Sequence, residues 1–261
     1  MSNIKLITAA DDRHGRKGGQ YAQTQERIQD LLTGWIDQRH YKLHDFIDCD
    51  PLMVNIDAAK NGRVYKPWVI QHALSQMADG DYLIYNDCSP EMWPEDIDLS
   101  QYDIRTITLL CDFSNGLLVG FVKWSDEWLG ANELGQHTHD NFTLDSCIEI
   151  MGGEAYRHSY LCASGMIVIR KDATTVRLVD DWLHYNRIKE CACMNVSEHE
   201  RSYNDPTPTN LGNRHDQSVL SLLLNRLDWK YCDIAYNDLS PYNFLNFCLP
   251  NHEYKFINSN P

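Results

Sequence analysis

The sequence predicts an α/β protein with a central sheet flanked by helices. Three observations support this class. Short apolar runs end in turn residues, amphipathic stripes with helical spacing lie between them, and the two alternate regularly over the first 90 residues. Strand, helix, strand, helix, strand in that order is typical of a parallel α/β sheet.

The first 49 residues supply two strands and one helix. An apolar run at residues 4–10 predicts a strand that enters a loop at residues 11–19. A helical stripe follows, formed by Ile28, Leu31, Leu32, Trp35 and Ile36. Their spacing of i, i+3, i+4, i+7 and i+8 is that of an amphipathic helix. Residues 41–49 alternate well enough to predict a second strand, closed by Asp50-Pro51.

A second helix is predicted to begin near Lys66-Pro67, since proline in the first turn loses no amide partner. Its buried face is expected to consist of Ile70, Ala73, Leu74 and Met77, and Asp79-Gly80 ends it. The apolar residues 82–85 follow directly as a third strand.

The second half of the chain is less regular. Residues 160–169 predict a core strand with Arg170-Lys171 at its exit, and a helical stripe at Val176, Val179, Trp182 and Leu183 follows. Residues 216–227 predict an apolar helix and residues 229–234 a strand. The runs 104–110 and 117–122 and the tail after Pro241 show no assignable period, and the polar segment 191–214 has the length of a functional loop. No repeat or linker interrupts residues 1–261, which favours one domain.

Composition narrows the function classes. A formal net charge of −14 and a pI near 5.1 argue against a nucleic-acid polymer as partner. No run of about 18 apolar residues and no secretory signal are evident, which predicts a soluble cytoplasmic protein without a membrane span. The nine cysteines include no CxxC pair, so a reducing compartment is expected. Cys191 and Cys193, with His199 nearby, could form half a zinc site, but free thiols on a loop are the favoured interpretation.

Several polar residues stand where functional groups are expected. Asp87 follows the third strand, where it can either form a turn or anchor an ion at the strand's carboxyl end. Lys66 is either a surface lysine or a phosphate or sugar contact. The loop at residues 13–19, which contains Lys17, combines three glycines with three cationic side chains. It can present amides to an anion or form an ordinary surface turn.

The segment His215-Asp216-Gln217 precedes a clear helix, so Asp216 can be its N-cap, a general base, or both. The two histidines in His137-Thr138-His139-Asp140 invite a metal interpretation, but a solvated loop is favoured. Trp93, Trp124 and Trp128 can stack on a sugar or base, although buried aromatics are commoner.

Taken in order, these motifs resemble those of GT-A-type glycosyltransferases, and more narrowly of small bacterial and viral sugar transferases. The matching segments are Lys66-Pro67, the strand from Gly80 to Asp87, Ala163-Ser164-Gly165-Met166, and His215-Asp216-Gln217-Ser218. The resemblance spans roughly residues 4–234. It implies a GT-A-like, Rossmann-like domain with a mostly parallel mixed sheet. Residues 4–90 would be its nucleotide-binding half and residues 91–240 its acceptor side, followed by a tail at 241–261.

The resemblance also implies a site. Asp87 takes the place of the first aspartate of an Asp-x-Asp motif, with Ser89 in place of the second and His215 as a further ligand of Mn²⁺ or Mg²⁺. Asp216 and His215 are the expected catalytic residues. The nucleotide sugar is expected to contact a larger set, namely Thr8, Ala9, Ala10, Lys17, Lys66, Asn86, Asp87, Ser164, Gly165 and Gln217.

The predicted reaction moves a sugar from a nucleotide-sugar donor to a glycan or other hydroxyl acceptor. Two alternatives stay open at this point. One is a nucleotidyltransferase on a similar sheet. The other is a non-catalytic nucleotide- or glycan-binding module, which the serine at position 89 favours.

Overall fold

A seven-stranded mixed sheet forms the centre of the computed structural model, which describes residues 2–10, 19–46, 64–93, 95–121, 138–192, 215–233 and 243–260. The strands are β1 (Ile4–Ala10), β2 (Asp37–Lys42), β3 (Tyr82–Asn86), β4 (Leu117–Phe121), β5 (Cys162–Arg170), β6 (Lys230–Asp233) and β7 (Lys255–Asn258). The helices are α1 (Gln20–Leu32), α2 (Tyr65–Ser75), α3 (Ile104–Phe113), α4 (His139–Phe142), α5 (Asp145–Ile150), α6 (Ala173–Asn186), α7 (Lys189–Ala192) and α8 (Asp216–Arg226).

The strand order is β2-β1-β3-β5-β4-β6-β7. Strand β1 pairs in parallel with β2 and β3, and β4 pairs in parallel with β6. Strand β5 is antiparallel to both β3 and β4, and β7 is antiparallel to β6. The predicted α/β class with a mixed sheet is therefore confirmed. The expectation of a mostly parallel sheet is wrong, because three of these six strand pairs are antiparallel.

The sheet separates two hydrophobic cores, because successive residues of each buried strand point to opposite faces. Ile7 and Leu83 face one core, to which α2, α6 and α8 contribute apolar side chains. Leu6 and Ile84 face the other, which is covered by α1, α3 and a 3-10 turn at Phe244–Cys248. Among the described helices, none is both long and apolar enough to cross a bilayer.

The predicted elements in the first half are largely confirmed, apart from β2. That strand lies at Asp37–Lys42 rather than at residues 41–49, and Leu43–Phe46 is a 3-10 turn. Its residues are mostly polar and pair with β1 at the edge of the sheet, so an apolar pattern does not mark them. The helices are also shorter than their stripes: α1 ends before Trp35, and α2 before Met77.

The second half contains elements that had no assignable period. The apolar runs at 104–110 and 117–122 become α3 and β4. The tail forms the 3-10 turn Phe244–Cys248 and the edge strand β7. The predicted strand at 160–169, the helix behind it and the helix from residue 216 are confirmed as β5, α6 and α8.

Candidate active site

Asp87 lies immediately after β3, where the central strand leaves the sheet. Its backbone N–H donates to the carbonyl of Gly165 at 2.8 Å, which extends the β3–β5 ladder by one residue. The hydroxyl of Tyr85 donates to Asp87 Oδ1 at 2.6 Å, and the Asp87 side chain is 12% exposed. Tyr85 and Asp87 are two residues apart on an extended chain, so their side chains share a face. The carboxylate is thereby held at the mouth of a buried region.

Lys66 projects from the first turn of α2 into that region. Its Nζ lies 3.2 Å from Asp87 Oδ2, 3.2 Å from Asp216 Oδ2 and 3.0 Å from the carbonyl oxygen of Ser164. The side chain is completely buried. An ammonium has three N–H donors, and their acceptors are Asp87 Oδ2, the Ser164 carbonyl and, at 3.5 Å, Ser164 Oγ, while Asp216 is an ion-pair partner. Lys66 was expected to contact phosphate or sugar, but in this arrangement it is an internal counter-ion of two carboxylates.

Ser164 lies beside Lys66 and Asp216 where β5 bulges. Val119 of β4 pairs with Ile167, but the next residue, Gly120, pairs with Ala163. Residues 164–166 therefore have no partner on the β4 side, whereas β3 keeps regular pairing with β5 up to Met166. Bulges of this kind redirect side chains and are common beside active sites. Here Ser164 Oγ donates to Asp216 Oδ2 at 3.0 Å.

Asp216 is the first residue of α8 and is completely buried. The N-cap of α8 is His215, and no side-chain capping hydrogen bond is present, so the interpretation of Asp216 as an N-cap is wrong. Its Oδ2 is shared by Lys66 and Ser164, and its Oδ1 has no hydrogen-bond partner among the described residues. Trp182 Nε1 donates to the Asp216 carbonyl at 2.9 Å and so fixes the start of the helix.

His215 adopts an unusual backbone conformation, with φ 52° and ψ −118°. A side chain with a Cβ is strained in this region, and such strain concentrates at functional sites. The turn allows α8 to begin with Asp216 directed into the cluster. We infer that this placement, rather than capping, explains the sequence His215-Asp216.

The cluster of Lys66, Asp87, Ser164 and Asp216 carries one ammonium against two carboxylates, and so a net charge of −1. Burial, and then the neighbouring Asp87 carboxylate, hold the pKa of Tyr85 well above its usual value. Tyr85 therefore stays a neutral hydrogen-bond donor to Asp87. Together with the unpartnered Asp216 Oδ1, this leaves the cluster suited to accept hydrogen bonds from the hydroxyl groups of a ligand.

The described residues do not fit a divalent ion between Asp87 and Asp216 as the site is arranged. The two Oδ2 atoms that such an ion would bridge both contact the Lys66 ammonium. Ser89 is buried and its hydroxyl has no partner, but it adds no negative charge. Within the described ranges, no group of three or more His, Cys, Asp or Glu side chains is arranged to hold a metal ion. The metal set Asp87, Ser89 and His215 stays a prediction.

The predicted residues of β1 lie beside the end of β3. Thr8, Ala9 and Ala10 are all buried, and Thr8 Oγ1 contacts His40 Nδ1 at 2.7 Å and Gln25 Nε2 at 3.0 Å. The Cys88 thiol, two residues after Asn86, hydrogen-bonds the Thr8 side chain, and burial raises the pKa of that thiol to about 12. The Cys88 thiol thus joins the segment that follows β3 to the end of β1.

The remaining predicted ligand residues have mixed placements. Both polar atoms of the Asn86 side chain hydrogen-bond backbone groups: Oδ1 accepts from the Phe244 N–H, and Nδ2 donates to the Asp87 carbonyl. Gly165 supplies a carbonyl to Asp87, and Gln217 lies in the first turn of α8. Lys17 lies outside the described residues, as do Trp124 and Trp128. Trp93 is buried and donates to the Asp87 carbonyl.

His139 is part of a separate, closed polar network, so the expectation of a solvated loop is wrong for it. It is completely buried, its Nδ1 lies 2.8 Å from Thr143 Oγ1, and its Nε2 lies 2.9 Å from Asn225 Nδ2. Tyr231 donates to Asn225 Oδ1 at 2.6 Å. Burial lowers the pKa of His139 to about 3, so the ring is neutral near pH 7. His137 lies outside the described residues.

The seven described cysteines are buried free thiols. Cys191 lies in α7, not on a loop, and its side chain hydrogen-bonds Cys147. The expectation of loop thiols is therefore wrong for Cys191, while Cys193 and His199 lie outside the described part of the chain.

A cleft of about 410 Å³ lies elsewhere, between α2 and α6. Trp68 and His72 stack on each other in its wall with ring centroids 5.3 Å apart. The polar groups across it are largely paired, as in the 2.6 Å hydrogen bond from Gln71 to Asp180. The buried charges lie in the cluster, and we assign the candidate site there.

Comparison of the chain with protein-family models, curated proteins and solved structures finds no match.

Proposed function

We propose that the protein is a glycosyltransferase that moves a sugar from a nucleotide-diphosphate sugar to a hydroxyl acceptor. One observation carries the proposal: the completely buried Asp216 has an unpartnered oxygen in a cluster with Lys66, Asp87 and Ser164. These residues come from the four segments on which the resemblance to GT-A-type transferases rests. They meet beyond the carboxyl end of a central strand, which is where open α/β sheets bind ligands.

The chemistry of the cluster favours a polyhydroxyl ligand. Its net charge of −1 repels a bare phosphate, whereas carboxylate oxygens accept hydrogen bonds from sugar hydroxyls. Asp216 Oδ1 is the free acceptor, and Asp87 lies at the exposed edge. In this proposal Lys66 keeps the two carboxylates in place, while Asp216 orients the donor sugar or accepts a proton from the acceptor.

The test is a matched pair of substitutions, Asp87→Asn and Asp112→Asn. Both aspartates accept a tyrosine hydroxyl of β3 and pair with a cation, but Asp112 lies at the other end of the strand. Sugar transfer from a panel of nucleotide sugars to mono- and disaccharide acceptors is measured for each variant. We expect Asp87→Asn to lower kcat/KM by about 10²-fold or more, and Asp112→Asn to stay within about twofold of the parent.

Other outcomes assign other functions. Release of pyrophosphate from a nucleoside triphosphate, without sugar transfer, would identify a nucleotidyltransferase. Thermal stabilisation by a nucleotide or glycan with no turnover of any donor would identify a binding module. Equal losses in both variants would remove the cluster from the mechanism.

A further inference from the structure

Asp87, the first of the predicted metal ligands, already has the Lys66 ammonium as its counter-ion. The Lys66 Nζ donates to Asp87 Oδ2 at 3.2 Å and to the carbonyl and hydroxyl oxygens of Ser164 at 3.0 and 3.5 Å, and it forms an ion pair with Asp216 Oδ2 at 3.2 Å. Nζ also lies 5.3 Å from the centroid of the Tyr85 ring, a distance typical of a cation–π contact. A buried cation with this many partners is strongly fixed in position.

A metal ion bridging the same oxygens would compete with that ammonium. Mg²⁺ in proteins binds oxygen at about 2.0–2.1 Å, so an ion that bridged the two Oδ2 atoms would have to share them with an ammonium 3.2 Å from each. A dication and an ammonium sharing two carboxylates at short range repel each other strongly in a buried site. Binding a metal at the two Oδ2 atoms would require Lys66 to move away from both carboxylates.

The residue at position 89 supports the same conclusion independently. The Lys66 ammonium neutralises one of the two carboxylate charges of the cluster. A further carboxylate at position 89 would add the negative charge that a dication needs. Ser89 is 1% exposed and neutral, and its Oγ has no hydrogen-bond partner in the part of the chain that the structure describes. The described cluster therefore has one built-in cation and too little negative charge for a second.

We propose that the Lys66 ammonium takes the place of a divalent cation beside Asp87, so that the cluster needs no metal to bind the hydroxyl groups of its ligand. The inference rests on the proposed function for the identity of the ligand, a nucleoside-diphosphate sugar. The claim about the metal rests on the cluster alone.

The experiment is a titration with Mn²⁺ followed by electron paramagnetic resonance, using the full chain, Lys66→Met and Asp87→Asn. Surface carboxylates of this acidic protein can also bind Mn²⁺. Only the Mn²⁺ binding that is lost in Asp87→Asn is therefore compared between variants. Lys171→Met is the matched control: the Lys171 side chain is 17% exposed and donates to the Met77 carbonyl, but it lies away from the cluster.

We expect the parent protein to show no Asp87-dependent site with a Kd below about 1 mM. Lys66→Met is expected to gain such a site, about tenfold tighter or more, because two unneutralised carboxylates remain. Lys171→Met is expected to gain none. An Asp87-dependent micromolar site in the parent would overturn the proposal. A folded Lys66→Met protein that gains no site would overturn it too, and if that variant does not fold, the parent titration decides.

A second measurement separates this inference from the proposed function. Uridine, guanosine and other nucleoside diphosphates are titrated with Mn²⁺ and with EDTA. We expect equal affinities within about twofold. An affinity gained with Mn²⁺ and lost in Asp87→Asn would overturn the inference. If no nucleotide binds under either condition, the proposed function fails, and the Mn²⁺ titration still tests the role of Lys66.

Discussion

At each end of strand β3, a tyrosine of the strand donates to an aspartate that pairs with a cation, and the two sets of residues differ in burial. At its start, Tyr82 donates to Asp112, which pairs with Arg170 at 2.9 Å. At its end, Tyr85 donates to Asp87, which pairs with Lys66. The side chains of Asp112 and Arg170 are 43% and 35% exposed, whereas those of Asp87 and Lys66 are 12% and 0% exposed.

This difference in exposure helps to distinguish a structural ion pair from a candidate functional site. The pair at the start of β3 is screened by water and contributes little. The pair at its end includes a second carboxylate, Asp216, and leaves one buried oxygen without a partner. Unsatisfied buried acceptors are rare in folded proteins and need a reason. The buried His139 network, in which both ring nitrogens have partners, supplies the structural contrast.

The largest expected effect comes from removing each cation. Lys66→Met leaves two buried carboxylates without a counter-ion, which is expected to lower the free energy of unfolding by about 3–5 kcal/mol. Arg170→Met is expected to cost about 1 kcal/mol or less. Urea unfolding of both variants at pH 7 measures the difference. Similar losses would show that burial does not distinguish the two ends of β3.

Alkaline pH is expected to separate the two tyrosines. Burial and the Asp112 hydrogen bond raise the pKa of Tyr82 to about 12, and burial together with the Asp87 charge holds the pKa of Tyr85 well above its usual value. Unfolded tyrosine ionises near pH 10, so above about pH 10 the folded state holds more protons and stability falls as pH rises. Each tyrosine contributes a decline of at most about 1.4 kcal/mol per pH unit, and Tyr82, beside the exposed Asp112, contributes less.

Substituting each tyrosine by phenylalanine removes its share of this decline. We expect Tyr85→Phe to flatten the dependence of unfolding free energy on pH, between about pH 10 and 12, more than Tyr82→Phe does. Urea unfolding of each variant across that pH range gives the slope of unfolding free energy against pH. The same measurement on the parent protein accounts for the titration of lysines. Equal flattening would contradict the assignment of Tyr85 to the more buried site.

Much of the fold could be predicted because its central elements carry strong local patterns. The apolar runs of β1, β3 and β5 and the stripes of α2, α6 and α8 are readable in the sequence. The edge strands β2 and β7 are not, since their residues are half polar and their pairing partners define them. The direction of β5 is likewise a tertiary property, and it makes the sheet less parallel than expected.

The sequence motifs point to four residues that the structure brings together, but they do not predict the geometry of their contacts. Lys66, Asp87, Ser164 and Asp216 were all expected to be functional, but their mutual contacts depend on a bulge in β5 and a strained turn at His215. Neither feature has a local apolar pattern. Tyr85 was missed, although its position two residues before Asp87 on a strand was a usable signal. His139 was misread because its partners Asn225 and Tyr231 are far away in sequence.

The smallest expected effect concerns the turn at His215, which can be compared with the turn at Asn115 beyond α3. Both residues have positive φ, 52° and 55°. Asparagine tolerates the left-handed region, whereas histidine with ψ −118° lies outside it. His215→Gly would relieve about 1–3 kcal/mol of backbone strain, but glycine costs conformational entropy on folding. We therefore expect this substitution to raise the free energy of unfolding by about 1 kcal/mol.

Asn115→Gly is expected to change stability by only a few tenths of a kcal/mol. If the strain serves to direct Asp216 into the cluster, His215→Gly should also lower the rate of sugar transfer, while Asn115→Gly leaves it unchanged. Urea unfolding and transfer assays on the same preparations measure both quantities. A His215→Gly protein that is less stable than the parent would show that contacts of the imidazole, and not backbone strain, hold Asp216 against Lys66.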